Sequence, residues 1–166
     1  MPYIELADSQ PSRVRIMIFA EGTILKPKSP LSLYNLRTYV PIGNAVSMIE
    51  SWYRQNAEIL YCTSRKGKQA ENMARLLQSY QFAGSKLYYR AEKQQYKDIV
   101  EEVRPDILIE DDCRSIGGSS QMCITHVTPA IKDSIKSIPV EEFKGIDHLA
   151  SSVPDLWARP GSASQI

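Results

Sequence analysis

Short apolar runs alternate with amphipathic stretches over the first two thirds of the chain. Four runs are apolar and rich in β-forming side chains, which predicts buried strands: residues 14–20, 57–63, 86–90 and 106–110. Three stretches repeat apolar positions at helical spacing: residues 44–56, 67–80 and 93–103. Strands that alternate with helices imply right-handed crossovers, so we expect an α/β fold, doubly wound, with a mostly parallel sheet.

The pattern weakens after residue 110. The residues GGSS at 117–120 indicate a loop, MCITHV at 122–127 predicts a fifth strand, and residues 129–137 predict a short helix. The last residues are mostly Ser, Pro, Gly and Ala. We therefore expect one domain over residues 1–157 and a flexible tail over 158–166.

Composition narrows the expected partners and compartment. The 20 basic residues nearly balance the 19 acidic ones and are scattered along the 166-residue chain, so we expect no nucleic-acid partner. No apolar run has the length of a signal peptide or a bilayer span, which predicts a cytoplasmic protein without membrane contact. Cys62, Cys113 and Cys123 are odd in number and lack CxxC spacing, so we expect free thiols.

The ends of the predicted strands carry the candidate chemistry. In doubly wound sheets the ligand crevice lies beyond the carboxyl ends of the strands. In this chain those ends are residues 19–23, 63–65 and 110–112. Each contains hydroxyl, carboxylate or glycine positions that could face a common ligand.

The segment IMIFAEGTIL resembles the first motif of the haloacid dehalogenase superfamily, in which a strand ends in DxDGT. Gly22 and Thr23 match, Glu21 takes the second acidic position, and Phe19 takes the first. In that family the first aspartate attacks phosphorus and forms an aspartyl-phosphate. Phe19 has no nucleophilic atom, so the resemblance implies a degenerate site that is impaired in this chemistry.

Two further segments resemble the second and third motifs. YCTSR places Thr63 where the family uses a hydroxyl to bind the phosphoryl group, with Ser64 adjacent. QQYKDIV places Lys97 where the family uses a lysine to neutralise phosphate, and Lys93 is the alternative. We therefore expect Thr63, Ser64 and one lysine at the site.

DILIEDD resembles the fourth motif, a strand ending in paired acids that hold magnesium. Glu110 and Asp111 are the candidate ligands together with Glu21, and Asp112 is a register alternative. Adjacent acids repel one another unless a cation or basic group lies near, which favours a cation pocket. The alternative is that these carboxylates cap the next turn.

The connection from Ile24 to Ile42 lies where this superfamily inserts its mobile cap. It is too short for a folded cap domain, so the resemblance implies an open site that admits large substrates or uses a neighbouring subunit as a lid, and a homo-oligomer is expected. Tyr34, Arg37 and Tyr39 are candidates to line the entrance.

The resemblance implies a phosphohydrolase-related protein that acts on a small phosphorylated molecule. Catalytic candidates are Glu21, Thr63 and Lys97. The phosphate-binding candidates are Gly22, Thr23, Thr63, Ser64 and Lys97. One hypothesis is that bound magnesium activates a water directly; another is a non-catalytic phosphate-binding or assembly module. A flavodoxin-like or nucleotide-binding domain is a third, although no GxGxxG or GxxxxGK[ST] follows the first strand.

Overall fold

The structure is a computed structural model that describes residues 2–7 and 14–158. In the described residues the strands are β1 (Tyr3–Glu5), β2 (Val14–Phe19), β3 (Leu25–Pro27), β4 (Tyr39–Pro41), β5 (Ala57–Cys62), β6 (Lys86–Tyr88), β7 (Ile107–Asp111) and β8 (Lys136–Val140). The helices are α1 (Ala45–Arg54), α2 (Lys68–Ser79), α3 (Tyr96–Val103), α4 (Cys123–His126), α5 (Pro129–Lys132) and α6 (Val153–Trp157). None of these helices is long and apolar enough to cross a bilayer.

A sheet of six described strands, in the order β1-β6-β5-β2-β7-β8, forms the centre of the molecule. The pairs formed by β2, β5, β6, β7 and β8 are parallel, and β1 pairs with β6 in the antiparallel direction. The first long strand, β2, therefore lies between β5 and β7. The predicted α/β fold with a mostly parallel sheet is confirmed.

Helices cover both faces of the sheet, as a doubly wound fold requires. Side chains alternate along β2, so Ile16 and Ile18 pack with α1, α2 and α6, whereas Met17 packs on the opposite face with α3 and α4. Trp52 of α1 is fully buried, and its indole Nε1 donates to the Ala150 carbonyl at 2.9 Å. Each face thus carries its own apolar core.

The prediction of a strand over 122–127 is wrong, because residues 123–126 form α4. The predicted helix over 129–137 is correct for α5 alone, since Lys136 already belongs to β8. β8 is an edge strand that carries an exposed proline, Pro139, so its sequence lacks the apolar pattern of the central strands. Residues 117–120, predicted as a loop, lie mostly in the 3₁₀ turn Gly118–Gln121. Of the predicted tail, residues 159–166 lie outside the described part of the chain.

Residues 24–42 form a small ribbon and no separate cap domain. β3 and β4 pair in the antiparallel direction, and the 3₁₀ turns Pro30–Ser32 and Leu36–Thr38 lie between them. The buried side chains of Leu36 and Tyr39 attach this ribbon to the apolar core on the α1 face. The ribbon therefore forms a fixed wall beside the carboxyl ends of the strands.

The segment GIDHL at 145–149 holds the start of α1. Asp147 Oδ1 accepts a hydrogen bond from the Asn44 backbone N–H at 2.9 Å, and Asp147 Oδ2 accepts one from Asn44 Nδ2 at 3.3 Å. A Cβ atom on Gly43, whose φ is +53°, would collide with Asp147 Oδ2, so the approach needs glycine. The segment therefore has a structural role, which is to hold the start of α1.

Candidate functional site

The carboxyl ends of β2, β5 and β7 open into a cleft of about 370 Å³. Six candidate residues singled out at the strand ends line it: Phe19, Glu21, Gly22, Ser64, Glu110 and Asp111. Aromatic side chains form much of the remaining wall, from the ribbon, from α3 and from the segment after β8. The strand ends therefore meet at one cleft, where the sequence placed the site.

Phe19 presents an aromatic ring at the tip of the central strand. Its ring packs edge-on against Tyr96, with the ring centroids 5.3 Å apart. The guanidinium carbon of Arg90 lies 4.2 Å from the Tyr96 ring centroid, a cation–π contact. Burial raises the pKa of the Tyr96 hydroxyl far above its usual value. The Phe19 and Tyr96 rings therefore make this wall of the cleft aromatic, with the Arg90 guanidinium against the Tyr96 ring.

Glu21 is held by side chains from the end of β5. Its carboxylate accepts a short hydrogen bond from the Thr63 hydroxyl and a longer one from the Ser64 backbone N–H at 3.3 Å. Arg65 Nε lies 3.8 Å from Glu21 Oε1. Thr63 is fully buried, so its hydroxyl proton is directed to Glu21 instead of the cleft.

Gly22 and Thr23 connect the β2 loop to the end of β7. A Cβ on Gly22, whose φ is +84°, would lie 3.0 Å from the Asp111 carboxylate carbon. Thr23 is fully buried, and its hydroxyl donates to Asp111 Oδ1 at 3.5 Å. Glycine at position 22 is therefore required both by the backbone conformation and by the close approach to Asp111.

Glu110 is buried and anchors α4. Its carboxylate accepts hydrogen bonds from the backbone N–H groups of Cys123 at 2.6 Å and Ile124 at 3.1 Å. Burial raises the pKa of Glu110 to about 7, although these two amides favour the charged form. Both oxygens of this predicted metal ligand are thus occupied by the protein, as a capping carboxylate would be.

Asp111 lies in a group of three carboxylates with Asp112 and Glu142. One oxygen from each residue lies within 4.8 Å of the others. Asp111 Oδ2 also accepts from the Cys113 N–H at 3.0 Å, and Asp112 Oδ1 accepts from the Glu142 N–H at 3.2 Å. Burial raises the pKa of Asp111, and the negative charges of Glu142 and Asp112 add to this effect. An all-oxygen set of this kind fits the preference of Mg²⁺.

The lysine candidates lie away from this arrangement. Lys97 is half-buried in the first turn of α3 and is not among the described residues that line the cleft, and Lys93 is exposed. Hydrogen bonds from Thr128 lower the pKa of Glu101, and the charge of Lys97 adds to that effect, which places Lys97 near Glu101. The structure does not bring Lys97 together with Glu21 and Asp111.

Arg65 is the cation that sequence reasoning missed. It lines the cleft, its Nη2 donates to the Tyr39 hydroxyl at 3.4 Å, and its buried Nε has no hydrogen-bond partner. It follows Thr63 by two residues in YCTSR, so the same motif offered the signal. Glu142 was also missed, because the edge strand that precedes it was not recognised.

The entrance candidates separate into two places. Tyr34 and Tyr39 line the cleft, and the Tyr39 hydroxyl donates to the Leu33 carbonyl at 2.7 Å. Arg37 lies in a neighbouring groove with Arg75 of α2. The three cysteines are free thiols, as predicted.

No protein-family model matches this chain, and no curated protein matches it significantly. Solved structures do match. A chain from the Pnkp1/Rnl/Hen1 RNA repair complex superposes with a TM-score of 0.56 and 13% identity over 82% of this chain. A second structure of the Pnkp1/Rnl/Hen1 complex gives a TM-score of 0.54, also at 13% identity and 82% coverage.

This chain covers 45% and 49% of those two solved chains, so it spans about half their length. A D,D-heptose 1.7-bisphosphate phosphatase from B. bronchiseptica, complexed with magnesium and phosphate, has a TM-score of 0.46 and 10% identity, covering 80% of this chain and 94% of its own. The two RNA repair chains support the α/β fold class that the motifs implied. At 13% identity they show the fold alone.

Proposed function

We propose that this chain is a phosphohydrolase-related protein that has lost aspartyl-phosphate chemistry and whose cleft now serves as a binding site. The observation that carries the proposal is the Phe19 ring, which packs on Tyr96 at the tip of the central strand and offers no nucleophile. Glu21, the acid two residues later, is already engaged by Thr63 and Arg65. The cleft therefore has polar and aromatic groups for binding but no carboxylate at the tip of β2.

The haloacid dehalogenase resemblance suggests a small phosphorylated molecule as one ligand. Arg65 and the exposed Ser64 are the groups that would contact its phosphoryl oxygens, since both line the cleft and both carry hydrogen-bond donors. Four carboxylates also line the described part of the cleft, and they would repel an anion unless a cation bound with it. Mg²⁺ would complete such a site.

The Phe19→Asp variant tests the lost chemistry. We expect no turnover of p-nitrophenyl phosphate by the wild-type protein with Mg²⁺, because no nucleophile is present at the strand tip. The variant restores that carboxylate, so we expect hydrolysis at least tenfold above the wild-type background. Phe19→Asn is the matched control, because asparagine has the same shape as aspartate but carries no nucleophilic carboxylate.

Wild-type turnover equal to that of Phe19→Asp would contradict the loss of function. Activity in the Asn control equal to that of the Asp variant would exclude a covalent aspartyl-phosphate. If Phe19→Asp stays inactive while its circular dichroism spectrum and melting temperature match those of the wild type, the remainder of the site is unable to transfer phosphate. That result would favour the binding module still further.

A second candidate function is hydrolysis without a covalent intermediate. It is favoured by the carboxylate oxygens of Asp111, Asp112 and Glu142, which lie within 4.8 Å of one another. Mg²⁺ held there would neutralise phosphoryl charge and acidify a water. Wild-type hydrolysis of a phosphate ester that depends on Mg²⁺ and is abolished by Asp111→Asn would establish this function and overturn the first proposal.

A further inference from the structure

Exposed apolar side chains gather at the mouth of the cleft. Leu33, Tyr34 and Ile116 are 41%, 88% and 67% exposed, and all three line it. Leu33 and Tyr34 belong to the ribbon, whereas Ile116 belongs to the turn after β7. Exposed apolar residues that meet around one opening are typical of a surface that another molecule covers.

The interior of the cleft continues this apolar surface. Phe19, Tyr39, Tyr96 and Phe143 line it below the rim. Aromatic faces bind apolar groups and also attract the charged ends of lysine and arginine side chains. The cleft therefore suits a ligand that has both kinds of group.

The charged side chains that line the cleft indicate the charge of the ligand that it would bind. Glu21 is paired with Arg65, and both oxygens of Glu110 accept backbone hydrogen bonds. Asp111 and Glu142 are two further carboxylates on the cleft wall. Asp111 accepts from the Thr23 hydroxyl and the Cys113 N–H, and Glu142 accepts from the N–H and the hydroxyl of Ser115. Among the described residues, the cation that pairs with the neighbouring Asp112 is Arg114, which is 73% exposed. Four carboxylates therefore stand against Arg65 in the described lining of the cleft, so the cleft would attract a cation.

We propose that the cleft docks a polypeptide segment of a partner protein in which a lysine or arginine is flanked by apolar residues. The basic side chain would enter between the aromatic rings toward Asp111 and Glu142, and the apolar flanks would cover Tyr34 and Ile116. Arg65, which also lines the cleft, would donate to a backbone carbonyl of the segment. The inference rests on the proposed function, because it takes the cleft as a binding site without turnover.

Blocked tripeptides provide the first test with the full chain. Acetyl-Leu-Arg-Leu-amide, acetyl-Leu-Gln-Leu-amide and acetyl-Leu-Glu-Leu-amide would be titrated and followed by NMR chemical shifts. We expect the Arg peptide to bind about tenfold more tightly than the Gln peptide, equivalent to about 1.4 kcal/mol. We expect the Glu peptide to bind most weakly. Equal binding of all three peptides, or no binding of the Arg peptide, would overturn the proposal.

Variants then locate the binding site. Tyr34→Ser and Glu142→Gln should each lower the affinity for the Arg peptide at least threefold. Only Glu142→Gln should reduce the preference of the protein for the Arg peptide over the Gln peptide. Glu50→Gln, on the exposed face of α1, is the matched control and should change nothing. Tyr34 is 88% exposed, so its replacement tests the rim without disturbing the core. Unchanged binding in both rim and wall variants would place the peptide elsewhere and refute the inference.

Two further measurements separate this inference from its alternatives. Concentration-dependent dimerisation in sedimentation that Ile116→Ser abolishes would assign the surface to a second copy of this chain and overturn the partner segment. Tighter binding of inorganic phosphate than of the Arg peptide would overturn the cationic ligand while leaving the proposed function intact. Phosphate ester turnover by the wild type would instead refute the proposed function, whatever the peptide result.

Discussion

Two acidic regions meet at the cleft, and the protein holds their carboxylates with different partners. Glu21, on the β2 loop, receives hydrogen bonds from the Thr63 hydroxyl and the Ser64 amide, and Arg65 adds a positive charge. The group formed by Asp111, Asp112 and Glu142 accepts from backbone amides and from the hydroxyls of Thr23 and Ser115, with an exposed Arg114 as its described cation. One region is a single carboxylate beside the half-buried Arg65, whereas the other is three carboxylates beside one exposed arginine.

This difference shows how one set of strand ends can combine a structural acid with a binding acid. A carboxylate beside an arginine connects two elements and has its charge compensated by that guanidinium. Three carboxylates within 4.8 Å of one another, with one exposed arginine nearby, leave negative charge that a cation could compensate. The β7–β8 side is therefore the side on which we expect a cation to bind.

The largest expected effect is on the free energy of unfolding, which should depend on pH because of Glu110, the buried acid in β7. The pKa of Glu110 is about 7 in the folded protein against 4.5 in the unfolded chain, because burial disfavours its charge. Below pH 4.5 the group is neutral in both states. As the pH rises from 4.5 to 7 the unfolded chain ionises first, so the free energy of unfolding should fall, by up to about 3 kcal/mol.

Urea unfolding between pH 4.5 and 8 would measure this slope. Glu110→Gln removes the titrating group, so its contribution to the slope should disappear. Thr125→Ala is the control, because it removes a hydrogen bond to Ser119 in the same segment without removing a titrating group. A slope in Glu110→Gln equal to that of the wild type would show that another residue causes the pH dependence.

A smaller effect is expected at Gly22, where the two acidic regions touch. Alanine there would strain the backbone at φ +84° and bring a Cβ to 3.0 Å from the Asp111 carboxylate. We expect a loss of about 2 kcal/mol in the free energy of unfolding. Gly118→Ala is a matched control, because its φ is +79° and a Cβ there would meet nothing within 4 Å. If both variants lose the same stability, backbone strain alone explains the effect and the contact with Asp111 adds nothing.

The smallest of these effects is expected on the Glu21 side. Thr63→Val removes the buried hydroxyl that donates to Glu21 and leaves that carboxylate with fewer partners. We expect the free energy of unfolding to fall by about 1.5 kcal/mol. Thr63→Ser keeps the hydroxyl, so its loss should be smaller. A valine variant as stable as the wild type would show that Glu21 does not need this donor.

The central part of the fold was predictable because its pattern is local. Residues 14–20 and 57–63 are apolar runs that become β2 and β5, and the amphipathic stretch 44–56 becomes α1. A buried parallel strand must be apolar on both faces, so its sequence shows its position directly. The position of Glu21, Ser64 and Asp111 at one cleft then follows from the topology.

The remainder depends on contacts between residues distant in sequence. Residues 122–127 resemble a strand, yet the Glu110 carboxylate binds the amides of Cys123 and Ile124 and starts a helix there. The strand β8 needs β7 beside it, because its own residues include the exposed Pro139. Lys97 matched a motif spacing, but spacing does not say which face of a helix meets the cleft.

The attachment of α1 to the segment around residue 150 affects how the protein can be synthesised. Asp147 holds the first turn of α1, the Ala150 carbonyl accepts from Trp52, and the Val153 N–H donates to the side chain of Gln55. A ribosome delivers residues 45–54 long before it delivers 147–153. During translation, α1 therefore lacks these contacts, and the Trp52 indole lacks its Ala150 acceptor, until about a hundred more residues have been synthesised.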